Sequence, residues 1–134
     1  MPDKGTLWSA LVKAQSAFQQ IKKDKTADAG KFKYEYASLP AVLAAVLPAL
    51  NKNESALWQS FRGGSLVTSL THTSGEGIES SLACSDSNIT PKDFGKKVSY
   101  YRRYSVLAML GLAPDDDDDA QGVPAAEPPD PPPP

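Results

Sequence analysis

The chain has 134 residues, 40% hydrophobic and 22% charged, which suits one compact domain and excludes a chain too polar to fold. Its net charge of −2 hides a split. Residues 1–113 hold all 14 Lys and Arg against 9 Asp and Glu, a formal +5, while 114–134 hold 7 acids and no base (Asp115 to Asp119, Glu127 and Asp130). The whole-chain value argues against an anionic partner, but the division by segment removes that objection. The single cysteine, Cys84, excludes an intrachain disulfide and fits a reducing cytoplasm. There is no run of about eighteen apolar residues, so no membrane span is expected. Met1-Pro2-Asp3-Lys4 leads into an amphipathic stretch rather than an apolar secretory signal.

Leu7, Leu11, Ala14, Phe18 and Ile21 recur at helical spacing and predict a helix over about 6–23, with Thr6 as its cap and Lys22 and Lys23 near its end. Residues 24–37 carry no helical period. Gly30 breaks the run, and Lys31-Phe32-Lys33-Tyr34-Glu35-Tyr36 then alternates charge with aromatic rings, as an extended segment with its three rings on one side would. A second helix is predicted over about 39–51. Ser38 is its N-cap, Pro40 sits in the first turn, and Pro48 should kink or tighten the last one. Its apolar face would be Leu39, Val42, Leu43, Val46, Leu47 and Leu50.

Residues 56–86 read as an antiparallel meander, with turns at Gly63-Gly64 and Ser74-Gly75-Glu76-Gly77. A last helix is predicted over about 91–112. Phe94, Val98, Tyr101, Ser105, Ala108 and Leu112 fall within roughly 80° of one another and form the stripe expected to pack on the sheet. Lys92, Lys96, Ser99 and Arg103 fall opposite. Gly111 and Pro114 end the helix. Residues 114–134, an aspartate run followed by prolines, are expected to form an acidic, disordered tail. The fold class is thus α+β: an antiparallel meander of about three strands packed on a long C-terminal helix, with two N-terminal helices, all within residues 1–113.

Two segments interleave cations with aromatic rings. The stronger is Gly95-Lys96-Lys97-Val98-Ser99-Tyr100-Tyr101-Arg102-Arg103-Tyr104. Cations neutralise phosphates and release counterions, and each aromatic face that stacks an unpaired base contributes about 1–3 kcal/mol. Arg102 and Arg103 diverge by ~100° on a helix, so they cannot do the same job. Arg103, on the lysine face, is expected to meet a nucleic-acid backbone, and Arg102 to pack or to pair across a subunit interface. A solvated basic face with core tyrosines explains the same composition. The second segment is Lys31, Lys33, Tyr34 and Tyr36, for which an ordinary extended piece burying its rings is the competing explanation. Arg62, before Gly63-Gly64, is a third candidate phosphate contact.

Enzymatic chemistry finds little footing. His72 is the lone histidine, without a co-ligand at zinc spacing, and Cys84 fits a small core residue. There is no phosphate-loop pattern, so no ATP hydrolysis is expected. Asp115 to Asp119 could hold Mg²⁺, as a nuclease would need, but such a run is more often solvated charge. No cofactor or fixed metal site is expected.

Three motifs carry a resemblance. Phe32-Lys33-Tyr34-Glu35-Tyr36-Ala37-Ser38-Leu39 resembles the Tyr-Ala-Ser-Leu start of the second helix in the ERF (essential recombination function) superfamily of phage single-strand annealing proteins. Thr68-Ser69-Leu70-Thr71-His72-Thr73-Ser74-Gly75-Glu76 resembles its Leu-x-His-x-Ser-Gly-Glu hairpin. Gly95 to Tyr104, followed by Leu110-Gly111-Leu112 and the Asp run, resembles its Gly-x-x-x-Ser/Thr-Tyr-x-Arg-Arg-Tyr signature, over about residues 6–119 in all. The resemblance implies ATP-independent binding of single-stranded DNA, pairing of complementary strands through an annealed duplex intermediate, and assembly into rings or helical filaments. A phage exonuclease or a host single-strand-binding protein are candidate partners. It also makes Tyr100, Arg102, Arg103 and Tyr104 signature positions, without saying which of them touch DNA. Tyr101 stands where the family commonly has a small residue. A coating protein without annealing activity is the alternative reading. The DNA-binding set expected is Lys31, Lys33, Tyr34, Tyr36, Arg62, Lys92, Lys96, Lys97, Tyr100, Arg102, Arg103 and Tyr104. The acidic tail is expected to compete with DNA for the basic surface or to serve solubility.

Overall fold

The computed structural model describes residues 6–28, 33–84 and 89–113. Lys31, Phe32, Pro114, the Asp run and the rest of the tail lie outside the described residues. The architecture is α+β, with three helices and two antiparallel sheets: α1 (Thr6–Ala17), β1 (Lys25–Asp28), β2 (Lys33–Tyr36), α2 (Leu39–Lys52), β3 (Ser55–Arg62), β4 (Ser65–His72), β5 (Gly77–Ala83) and α3 (Pro91–Leu110). β1 and β2 form a hairpin, and β3-β4-β5 a meander in that spatial order.

The turns of the meander follow from glycine. Arg62 pairs with Ser65 across Gly63 and Gly64, whose φ values of 56° and 81° suit the two-residue turn that matches strand twist. Gly75, at φ 97°, serves the second turn. Period-2 alternation then gives the sheet two unlike faces. Leu57–Leu70–Ile78, Gln59–Thr68–Ser80 and Phe61–Leu66–Leu82 form the rows on the helix side. Trp58–Ser69–Glu79 and Ser60–Val67–Ser81 lie on the other.

Leu70 reaches the main core, where it joins Leu7 and Ala14 of α1, Val42, Val46 and Leu50 of α2, and Val106, Leu107 and Leu110 of α3. α2 begins as expected: Ser38 Oγ accepts the Ala41 amide, and Pro40 sits in the first turn. It continues past Pro48 to Lys52. α3 is capped at both ends. Thr90 Oγ1 accepts the Asp93 amide, and Gly111 (φ 70°) closes a Schellman motif, its amide donating to Ala108 O and that of Leu112 to Leu107 O.

Three expectations are corrected. α1 stops at Ala17 rather than near residue 23, and Thr6 is its first helical residue. The apolar spacing does continue, since Ile21 is buried and Phe18 packs on the core. However, the Gln19 amide donates to Ala45 O of α2 and the Asp24 amide to Tyr36 O, so the backbone has left the helix. The 24–37 segment holds two strands, because Lys25–Asp28 supplies a partner for Lys33–Tyr36. Third, the buried side chains of α3 are Arg103, Val106, Leu107 and Leu110, not the Phe94-to-Leu112 stripe, of which Ala108 is exposed. The centre of the buried face thus lies roughly half a turn from the predicted stripe, although Phe94 of that stripe meets Phe61 of β3 and Leu112 packs on the core.

The Ser-Gly-Glu turn has an architectural job. Glu76 Oε1 accepts the Leu7 amide at the start of α1 (2.8 Å) and also the Ser74 hydroxyl, while Ser74 Oγ accepts the Glu76 amide and His72 Nδ1 accepts the Ser74 amide. A carboxylate at a helix N-terminus satisfies an otherwise orphan donor and meets the positive end of the helix dipole. This turn therefore pins α1 to the sheet. Glu76→Ala should cost about 1–2 kcal/mol and lower the melting temperature, with nucleic-acid affinity at a temperature where both fold unchanged; a thermal melt paired with a binding titration checks both.

Candidate nucleic-acid interface

On α3, Tyr100 and Tyr104 are one turn apart and their ring centroids lie 4.4 Å from each other. Arg103 shares that turn but is directed inward and is only 4% exposed. Its guanidinium carbon sits 5.4 Å from the Tyr100 ring centroid and 5.6 Å from that of Tyr104. A third ring comes from elsewhere in the chain: Tyr36 of β2, at 4.7 Å. Arg103 forms no ion pair among the described residues, and its buried Nη1 has no hydrogen-bond partner there. Burial of an unpaired cation is expensive. Ring quadrupoles offset part of that cost, at about 0.5–2 kcal/mol for each well-placed face. What remains is a local excess of positive charge walled by aromatic surface. Tyr104, half exposed, forms the outer side of that wall.

Tyr36 is placed by the corner between β2 and α2. Asp24 Oδ1 accepts the Ser38 amide (2.7 Å), Oδ2 accepts the Ser38 hydroxyl (2.8 Å), and the Asp24 amide donates to Tyr36 O. Ser38 thus caps α2 and ties it to the segment before β1, while Ala37 is buried between them in the chain. Burial pushes the Asp24 carboxyl up, but the hydrogen bonds from Ser38 and its own amide, helped by Lys25, outweigh this and hold it below the ordinary carboxylate value. The Tyr100 phenol is shifted upward, first by burial and then by its hydrogen bond to Tyr104 and that ring's proximity, against the opposing pull of Arg103. It stays neutral near pH 7.

The two cation-aromatic segments, separate in sequence, therefore meet: Tyr36 from one, and Tyr100, Arg103 and Tyr104 from the other. Tyr34 lies beside Tyr36, with centroids 6.4 Å apart, and Lys97 lies over the Tyr101 ring at 5.7 Å. Lys92 and Lys96 are exposed on the N-terminal half of α3, and Lys33 is exposed on β2. Arg62 does not join them, being engaged with Glu79 (2.9 Å) at the tip of the meander. The expected exposed position of Arg103 is corrected, since its helix face is the one that meets the core. Arg102 lies on a different flank and contacts Gln59 of β3. Sequence reasoning did not single out Gln59 or Asp24. Asp24, fourteen residues ahead of an N-cap serine, has no local signal, and Gln59 in a strand would have shown itself only as a polar residue on the inward side of the alternation.

Cys84 is buried. Among the described residues no group of three or more His, Cys, Asp and Glu could hold a metal ion, and no helix is long and apolar enough to cross a membrane.

Two outcomes follow. Arg103→Met keeps an unbranched side chain and removes the unpaired charge, so the melting temperature should equal or exceed that of the wild type despite the burial of the position. A fall of more than a few degrees would show that the ring contacts outweigh the desolvation cost. For Asp24, the folded carboxyl titrates below its unfolded value near ~4, so its stabilisation is complete above that value and is lost as pH falls through the folded one. The melting-temperature gap between wild type and Asp24→Asn should thus be constant near neutrality and close below about pH 4.

A model described as the ERF superfamily matches residues 7–128. No curated protein and no solved structure matches the chain. The family match covers nearly the whole chain, including all three motifs and every described residue except the first, and the protein belongs to the ERF superfamily of phage-type recombination proteins.

Proposed function

We propose that the protein binds single-stranded DNA and accelerates the annealing of complementary strands without ATP. The observation that carries this reading is the gathering of three tyrosine rings, from two distant segments, around a buried guanidinium with no counter-charge among the described residues. Aromatic faces stack unpaired bases whatever their sequence, at about 1–3 kcal/mol each. Tyr104, the most exposed of the three, supplies the first such face, with Tyr34 and Tyr36 on the neighbouring hairpin. Lys92, Lys96, Lys97 and Lys33 neutralise phosphates, and the excess positive charge at Arg103 favours an anionic strand nearby.

Annealing in this reading involves no bond chemistry, no resident cofactor and no fixed metal. The protein lowers the repulsion between two polyanions and holds bases unpaired until a complement arrives. Assembly into a homo-oligomer, ring or helical filament, belongs to the same proposal. It is supported by the exposed Trp8 and Val12, one turn apart on α1, by the exposed Trp58, and by the edge positions of β3 and β5.

The test is a fluorescence-transfer annealing assay with complementary oligonucleotides, without nucleotide or Mg²⁺. The wild type should accelerate pairing. Tyr104→Ala should weaken binding to an oligo-dT by roughly tenfold, in line with the loss of one stacked base, and slow annealing in proportion. Binding without acceleration would leave a coating protein. Cleavage of the oligonucleotide on adding Mg²⁺ would point to a nuclease.

A further inference from the structure

The chain has three arginines, and the structure gives each a different fate. Arg62 directs Nη1 and Nη2 at the two carboxylate oxygens of Glu79. Arg103 is buried under tyrosine rings. Arg102 is partly exposed, and its guanidinium is held by one edge atom. Nε donates to Gln59 Oε1 at 2.9 Å, and among the described residues neither Nη1 nor Nη2 has an acceptor.

Gln59 is itself fixed. Its Nε2 donates to Thr68 Oγ1 (3.0 Å), on a fully buried residue of β4, and to the Arg102 carbonyl (3.2 Å). The network sets the amide orientation, because only Oε1 can accept from Nε and only the NH₂ group can supply both donors. Gln59 therefore grips Arg102 at its backbone and at its side chain, and leaves the outer fork of the guanidinium fixed and uncommitted.

We propose that the Nη1/Nη2 fork of Arg102 is a phosphodiester-binding site, and that Gln59 is its positioning residue. The proposal rests on the reading of the protein as a binder of single-stranded DNA. A planar fork of parallel N–H donors matches two phosphate oxygens, and fixing it beforehand removes rotamer entropy that binding would otherwise cost. The site is distinct from the tyrosine cluster. Arg102 and Tyr104 are two residues apart on α3, so they face nearly opposite flanks of the helix, one toward β3 and one outward beside Tyr100. A carboxylate from a second copy is the competing occupant: Asp24, Glu54, Glu76 and Glu79 accept hydrogen bonds within their own chain, whereas Glu35 and Asp93 are exposed, and the oligomeric mass separates that occupant from a phosphodiester.

The experiment measures oligo-dT affinity of the full chain by anisotropy across a salt series, with oligomeric mass by light scattering and a thermal melt for each variant. Each phosphate contact on a single strand contributes about 0.7 to the slope of log affinity against log salt. Arg102→Ala should lower the slope by about that amount and the affinity roughly tenfold at 0.1 M salt. Gln59→Glu should lower the slope equally with Arg102 still present, because the new carboxylate neutralises the fork. Arg102→Lys should keep the slope and lose affinity, because the charge remains and the fork does not. Lys13→Ala, on exposed α1, should match the wild type.

Arg102→Ala with wild-type slope and affinity overturns the proposal, as does Arg102→Ala that alters only the oligomeric mass. A wild-type slope in Gln59→Glu overturns the role of Gln59. If Lys96→Ala lowers the slope while Arg102→Ala does not, this site fails and the binding function stands. If the wild type does not bind oligo-dT at low salt, the functional reading itself fails.

Discussion

Arg103 carries a full positive charge into the protein with no carboxylate paired to it among the described residues, and the candidate surface is arranged around that cost. A buried guanidinium needs compensation from its surroundings, and here the compensation is three ring faces rather than an anion. Rings offset less than a carboxylate would, so the position remains electropositive. Two of the rings come for nothing in topological terms, because Tyr100 and Tyr104 are within one turn of Arg103 on the same helix. The third requires the whole corner between the β1–β2 hairpin and α2 to be held in place. The Asp24–Ser38 bracket does this: a single residue, its carboxylate on Ser38 and its amide on the Tyr36 carbonyl, sets the hairpin base and the start of α2 relative to one another.

The three sequence motifs thus divide by physical task. Tyr36-Ala37-Ser38-Leu39 is a corner: a ring for Arg103, a small buried residue, a helix cap and the first helical residue. His72 to Glu76 is a clamp that holds the Leu7 amide at the start of α1 against the end of the meander. Only the Gly95–Tyr104 run presents a chemically distinctive surface, and even there the side chain with the most obvious affinity for phosphate is turned inward. A motif residue is therefore poor evidence of ligand contact by itself. Glu76 and Ser38 are in motifs because the backbone needs them.

What the sequence made legible was whatever rests on local rules. The meander follows from two glycine turns and alternating side chains, α2 from Ser38 and Pro40, and the end of α3 from Gly111. What stayed hidden depends on partners distant in the chain. α1 ends where the Gln19 amide finds a carbonyl on α2, although the apolar period runs on to Ile21. β1 is a strand because β2 pairs with it, since Lys25-Thr26-Ala27-Asp28 carries little β character of its own. The buried face of α3 was misassigned for a third reason. Its first half projects beyond the core and its true inner face contains an arginine, so counting apolar residues selects Phe94, Val98 and Tyr101, which are only half buried. Because the face was reversed, Arg103, expected to meet a nucleic-acid backbone, is turned inward, while Arg102, expected to pack, does pack against Gln59 of β3.

That reversal bears on how such a surface could anneal strands. Annealing requires a grip that is strong enough to keep bases unstacked and weak enough to surrender them. Duplex formation returns about 1.4 kcal/mol per base-pair step, and one stacked base on an aromatic ring is worth about 1–3 kcal/mol. A protomer that stacks every base would hold its strand against the duplex. One with a half-exposed tyrosine and a few phosphate contacts holds it only until several base pairs form together. On the proposed function, placing Arg103 inside serves this balance. Its charge raises the local potential without a direct bidentate bond, whose loss would have to accompany each release. The proposed fork on Arg102, by contrast, grips the backbone, which leaves the Watson–Crick edges free and need not let go while pairing proceeds.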